Sequence, residues 1–340
     1  MSEAPAPAGN PLGVMVPQLF CGPGNDGSTL RGAVAADYLV PHLARLPGEG
    51  FGAVELARMH GRALRARVAE AVAGLDVTFG AYVTQLLNVE RLHPFDLSHP
   101  EERERRRAVE RLRVCLREAE QLAARRVGVM SGRDPLLAGE APGSPARARP
   151  PAGGDDLRAR HRDALVRSLV ELAGETALDV VVMAFDRQPS PAAVPGAYKG
   201  ALLGPVDEVV EVVARARDQG ATNVWVALDT AHLRENGEGP RELAGAVGLL
   251  GLLHVSNCVV DPGAPDAAAR LGDRHPAFGC PGSAVDAATL AGCARAIAGR
   301  YQGPVTFEIR PVGDEDPWVL LGQARAAWEA AVRTVAAGSS

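Results

Sequence analysis

The sequence predicts an α/β fold in which eight parallel strands close into a single (βα)8 TIM barrel. Three observations carry that prediction. Short apolar runs alternate with amphipathic helical stretches along most of the chain. Several of the runs end in an ionisable residue, which is where barrel strands open into the loops that carry chemistry. No glycine-rich phosphate loop follows the first run: the segment after Phe20 reads CGPGNDGS, without a GxGxxG and without a helix directly behind it, so a doubly wound open sheet is the weaker alternative.

The expected strands are 12–20, 51–56, 75–83, 127–130, 179–185, 224–229, 249–255 and 305–309. The clearest helix follows His99. Ser98 and Glu101 read as a capping box with Pro100 in the first turn. Ala108, Val109, Leu112, Cys115, Leu116, Ala119, Leu122 and Ala123 then recur at helical spacing. The run EERERRR on the other side reads as a solvated face. Residues 1–11 are expected to be a flexible tail and 12–335 the barrel domain. Residues 139–155 (GEAPGSPARARPPAGGD) form an irregular loop and 336–340 a frayed end.

Composition bounds the function. A chain of 340 residues, 46% hydrophobic, buries one large core with ease. The formal net charge of −5 disfavours a nucleic-acid partner. Five scattered cysteines without CxxC spacing argue against a disulfide framework and fit a reducing cytoplasm. MSEAPAPAGNP is no signal peptide, and no apolar stretch is long enough to span a membrane. Lys199 is the only lysine among many arginines, so its compact, titratable amine is a candidate catalytic group, against chance placement in a loop.

The acids and histidine at strand ends are the candidate chemistry. Glu55 closes the second run, Asp186 follows the fifth, Asp229 closes the sixth, His254 lies in the seventh and Glu308 closes the eighth. A polar group in an apolar strand is costly unless satisfied, and its repetition on several strands favours a shared site. Asp229, His254 and Glu308 together suit a divalent metal such as Mn, Zn, Co or Mg. Taken singly, His254 reads as a satisfied interior histidine and Glu308 as an ion-pair partner. His232, Asp273 and His275 form a second group. They suit contacts to substrate oxygens or support of the first set, ahead of a second metal.

The ordered motifs FDRQ, LLGP, LDTAH, HVSNC, GDRHPAFG and PVTFEIRP resemble the xylose isomerase-like TIM barrels of the sugar phosphate isomerase/epimerase kind. The resemblance covers the chain from its first strand to its last helix. It implies a metal set of a Glu ending the fifth strand, an Asp ending the sixth, a His in the seventh and a Glu ending the eighth. The last three fall on Asp229, His254 and Glu308. The first falls on Met183, so one anionic ligand and one member of the usual two-glutamate proton shuttle are missing. Asp186 could reach inward instead only from the wrong strand register.

The resemblance implies an enzyme acting on a small polyhydroxy or keto compound by enolisation, through isomerisation, epimerisation or a related elimination. Glu308, Asp186 and Lys199 are then the catalytic candidates. His232, Asn257, Asp273, His275 and Glu55 would contact substrate. Such barrels are often homo-oligomers. A metal-free barrel repurposed for biosynthesis or binding is the alternative that Met183 raises. DNA repair of the endonuclease IV kind is a remoter one, because the second and third strands lack its ligand histidines and His60 lies past Glu55.

Overall fold

The computed structural model describes residues 9–20, 30–82, 95–137, 154–185, 187, 200–259 and 275–338. Eight parallel strands close on themselves in the order β1-β8-β7-β6-β5-β4-β3-β2. They are β1 (Leu12–Met15), β2 (Ala53–Leu56), β3 (Asp76–Gly80), β4 (Arg126–Met130), β5 (Asp179–Met183), β6 (Val224–Asp229), β7 (Leu250–Val255) and β8 (Val305–Phe307). The helices around them are α1 (Gly32–Arg45), α2 (Arg62–Ala71), α3 (Glu102–Gln121), α4 (Gly154–Ala173), α5 (Val206–Asp218), α6 (Pro240–Ala246), α7 (Ala287–Ile297) and α8 (Pro317–Ala337). A two-residue pairing of Leu30–Arg31 with Met59–His60 lies outside the ring. The ring answers the topology expected from the alternating runs.

Side chains alternate along each strand, so each strand serves two cores. Val180 and Val182 of β5 belong to the layer between strands and helices. Val181 and Met183 face inward with Met15, Met130, Ala227 and Leu252. Helix α3 shows the matching periodicity. It buries Ala108, Val109, Leu112, Cys115, Leu116 and Ala119 and exposes most of its arginines. Arg105 is the exception in the charged run, buried against Glu102 and Glu171.

Several boundaries differ from expectation for local reasons. The first strand stops at Met15, and Val16–Leu19 turns helical: Pro17 has no N–H to give to a ladder, while the Phe20 N–H closes on Val16 O at 3.0 Å. The third strand ends at Gly80, the fifth at Met183 and the eighth at Phe307. Ser98 does not cap α3. Its hydroxyl donates to Asp96 at 2.6 Å, and the helix begins at Glu102 beyond Pro100. Ala123 lies past the helix end, exposed and left-handed at φ 52°. Gly154 and Asp155 belong to α4 rather than to the irregular loop, and α8 runs to Ala337, into the stretch expected to fray.

Among the described residues no helix is long and apolar enough to cross a membrane, and none of Cys115, Cys258, Cys280 and Cys293 is in a disulfide.

One buried ion pair ties the β4 mouth to α4. Asp134, with no exposed surface, accepts from Arg158 Nη2 at 2.6 Å and Nε at 3.1 Å, and from the Leu136 N–H at 3.1 Å. Replacing Asp134 by Ala leaves a buried guanidinium without its anion. Urea denaturation should show a loss of about 3–5 kcal/mol; a loss under about 1 kcal/mol would mean that water reaches Arg158 freely.

Candidate metal centre

The sixth and seventh strands are not in simple register. Val226 pairs with Leu250, but Ala227 pairs with Leu252, so Gly251 is an extra residue. The extra position requires glycine: a Cβ at Gly251 would lie 2.6 Å from Trp225 Cβ. It also has a consequence. Beyond it, Asp229 pairs with His254, and His254 with Thr306 of β8. Paired residues of parallel strands point the same way, so Asp229 and His254 both enter the barrel.

The two oxygens of Asp229 are differently employed. Oδ1 accepts from the Ala231 N–H at 2.6 Å and from the Ser256 hydroxyl, capping the helical turn Thr230–Glu235. Oδ2 is buried, lies 3.7 Å from His254 Nδ1, and has no hydrogen-bond partner among the described residues. Thr230 and Ser256 exchange two further bonds, at 2.7 and 2.9 Å, that lock the ends of β6 and β7 together. The role of Ser256 escaped the sequence reading. Its only signal there is a hydroxyl two residues after a strand histidine.

His254 is held on both edges. Nδ1 lies 2.7 Å from Glu308 Oε2 and Nε2 lies 2.7 Å from Glu55 Oε2. Glu308 sits one residue past β8, its N–H donating to Val255 O. Its other oxygen is 3.3 Å from His275 Nε2. Glu55, Asp229, His254 and Glu308 are all buried. Glu55 was expected at the substrate; the structure sets it against the histidine.

The charges are strongly coupled. Burial would push Asp229 up, but His254, His232 and His275 overcome it and hold the carboxyl well below the usual range. Glu308 is likewise lowered against its burial, by His275 and His254. Burial dominates at Glu55 and raises it, opposed by His254. Burial would lower His254, but Glu55 first, then Asp229 and Glu308, raise it well above an ordinary imidazole.

Asp229, His254 and Glu308 offer ligand atoms that all lie within 4.8 Å of one another. Asp229, His232 and His275 do the same, so Asp229 belongs to two clusters. His232 is oriented by Glu235 Oε2, 2.8 Å from its Nδ1, and packs beside Phe185. Buried carboxylates facing histidines, with Asp229 Oδ2 unsatisfied, fit a divalent cation. Met183 is the mismatch. It points inward, almost wholly buried, paired with Met130 and Ala227 in the place expected of a carboxylate.

Other expected residues separate. Asn257 is spent on bracing: it donates to Ala277 O at 3.0 Å and accepts from Ser283 Oγ and the Val285 N–H. It braces the segment that follows His275. His60 is exposed outside the ring. Asp186, Lys199 and Asp273 lie outside the described residues.

A model of the xylose isomerase-like TIM barrel matches residues 44–335. The chain belongs to that family. Among solved structures, the xylose isomerase-like barrel is similar to an L-ribulose 3-epimerase, at 17% identity and TM-score 0.62, covering 97% of this chain and 98% of the other. A D-tagatose 3-epimerase-like protein superposes with TM-score 0.63 at 12% identity, covering 97% and 100%. A D-psicose 3-epimerase from Clostridium cellulolyticum, solved with D-tagatose, gives 0.54 at 18%, covering 96% and 98%. No curated protein matches the chain.

The site predicts its own pH behaviour. A raised folded pKa means that protonated His254 stabilises fully below its unfolded value, near 6.5, and loses this as pH rises through the folded value. In metal-stripped protein, His254→Leu should cost about 3–5 kcal/mol at pH 6, below the unfolded value. The cost should shrink at pH 9, as pH rises toward the folded value and the stabilisation by the protonated ring is lost. Urea titrations at both values check this; a cost that grows with pH would refute the coupling.

Proposed function

We propose that this barrel is a divalent-metal-dependent enzyme that enolises a small polyhydroxylated keto compound, isomerising or epimerising it. The convergence of Asp229, His254 and Glu308 from three successive strands on one buried point carries this reading. Membership of the xylose isomerase-like family and the resemblance in fold to sugar 3-epimerases support it.

Asp229, His254 and Glu308 would hold the ion, which when bound polarises a carbonyl and acidifies the neighbouring C–H. Glu308 is the described carboxylate best placed to take that proton and return it. His232 and His275, clustered with Asp229, would bind substrate oxygens and keep the carbonyl against the metal side. Beside β6, Met183, Met130, Phe185 and Tyr82 form an apolar wall, with Met183 where the second proton-transferring group of the family would stand. A single base returns a proton to the face it left, which favours isomerisation. Epimerisation needs a second group on the opposite face, and Asp186, following β5 in sequence, is the candidate.

Met183 favours a second reading, a barrel that binds a ligand without metal. Metal content separates the two. The protein, stripped and reloaded with Mn(II), should retain about one ion per site and exchange the hydrogen beside the carbonyl of L-ribulose or D-allulose with D2O, followed by proton NMR. Glu308→Gln should slow that exchange about 10²–10⁴-fold. Sub-stoichiometric metal together with no exchange on any ketose would sink the enzymatic reading and leave the binding one.

A further inference from the structure

We infer that Glu55 is a positioning residue: from β2 it makes Nδ1 the donor atom of His254, and its charge stands in for the carboxylate missing at Met183. This deepens the metal-dependent reading above and rests on it.

An imidazole offers a metal only one of its nitrogens, and what the other nitrogen bonds decides which. The Nε2 edge of His254 is occupied by Glu55 Oε2 at 2.7 Å. The Nδ1 edge faces the other two members of the cluster, Glu308 Oε2 at 2.7 Å and Asp229 Oδ2 at 3.7 Å. A carboxylate behind a ligating histidine accepts its N–H, holds the ring's orientation and raises its basicity. Glu55 has that placement and no exposed surface, in the apolar run AVEL.

The contact is built across the barrel rather than along it. In the ring, β1 and β8 stand between β2 and β7, so Glu55 meets His254 through the lumen. The neighbouring strand leaves room for it. A Cβ on Gly80 of β3 would come within 2.9 Å of Glu55 Oε1 and 3.1 Å of the Tyr82 ring. A larger residue there would crowd the carboxylate oxygen that does not bond the histidine.

Charge completes the case. The candidate ligands include two carboxylates, and Met183 contributes none where a third is expected. Glu55 places a carboxylate beside the imidazole, outside the ligand positions. An ion-pair role in the fold alone would not determine which nitrogen binds metal or how tightly.

The test uses the full chain, labelled with 15N-histidine, stripped and reloaded with Zn(II). Long-range proton–nitrogen spectra should show His254 ligating through Nδ1 with Nε2 still protonated. Zn(II) affinity, by competition with a chromophoric chelator, should fall about 10–100-fold in Glu55→Gln. Adding Met183→Glu to that variant should recover most of the loss, because the charge returns at the ligand position. Ligation through Nε2, direct ligation by Glu55, unchanged affinity in Glu55→Gln, or no recovery in the double variant would overturn the assignment while leaving metal binding intact. No Zn(II) uptake by the unaltered protein would overturn both readings. The spectrum of the unaltered protein decides the matter even if a variant fails to fold.

Discussion

The hydrogen-bonded row Glu55–His254–Glu308 is the contact on which the mouth of this barrel depends. It places one buried imidazole between two buried carboxylates, with a third carboxylate, Asp229, alongside. Buried ionised groups are expensive unless paired and hydrogen-bonded. Without a metal, the surrounding carboxylates favour the protonated imidazole of His254, which offsets part of that cost. The row joins β2, β7 and β8, so it forms only when the ring has closed.

The surrounding scaffold serves this row by steric permission. Gly251 lets Trp225 lie close at the bulge that brings Asp229 level with His254. Gly80 makes room for the Glu55 head, and Gly128 for the Tyr82 ring. Where a side chain must cross a barrel lumen, an adjacent strand gives up its own. Ser256 and the helical turn after β6 engage one oxygen of Asp229 and leave the other facing the cluster. Orientation of the first carboxylate and of the imidazole is therefore settled before any ligand arrives, which is the condition for a preorganised site.

The mouth has two unlike halves. One side carries Glu55, Asp229, His254, Glu308, His232 and His275. The other carries Met130, Met183, Phe185 and Tyr82. A thioether on β5 removes charge from the ligand set and lowers the polarity of the facing wall together. Both effects concentrate the acid–base chemistry on the β6–β8 side.

Much of the fold was legible in the sequence, because barrel strands are short apolar runs whose alternation with helices survives any uncertainty about their ends. The match of Met183 to a family glutamate position, and of Asp229, His254 and Glu308 to the ends of β6 to β8, followed from motif order. Strand ends did not, since a few residues beyond a run, as at Val16 and Ile309, are apolar whether they pair or turn. Ser98 looked like a cap because local chemistry allowed it; Asp96 took its hydroxyl instead. What only the tertiary structure decided is the pairing across the lumen. Glu55 and His254 are 199 residues apart and on strands that are not neighbours, so no local pattern relates them. The bulge at Gly251 reverses the parity of β7 against β6, and register is a property of two strands together. Residue types and their order come from the chain alone; which carboxylate meets which nitrogen comes from ring closure.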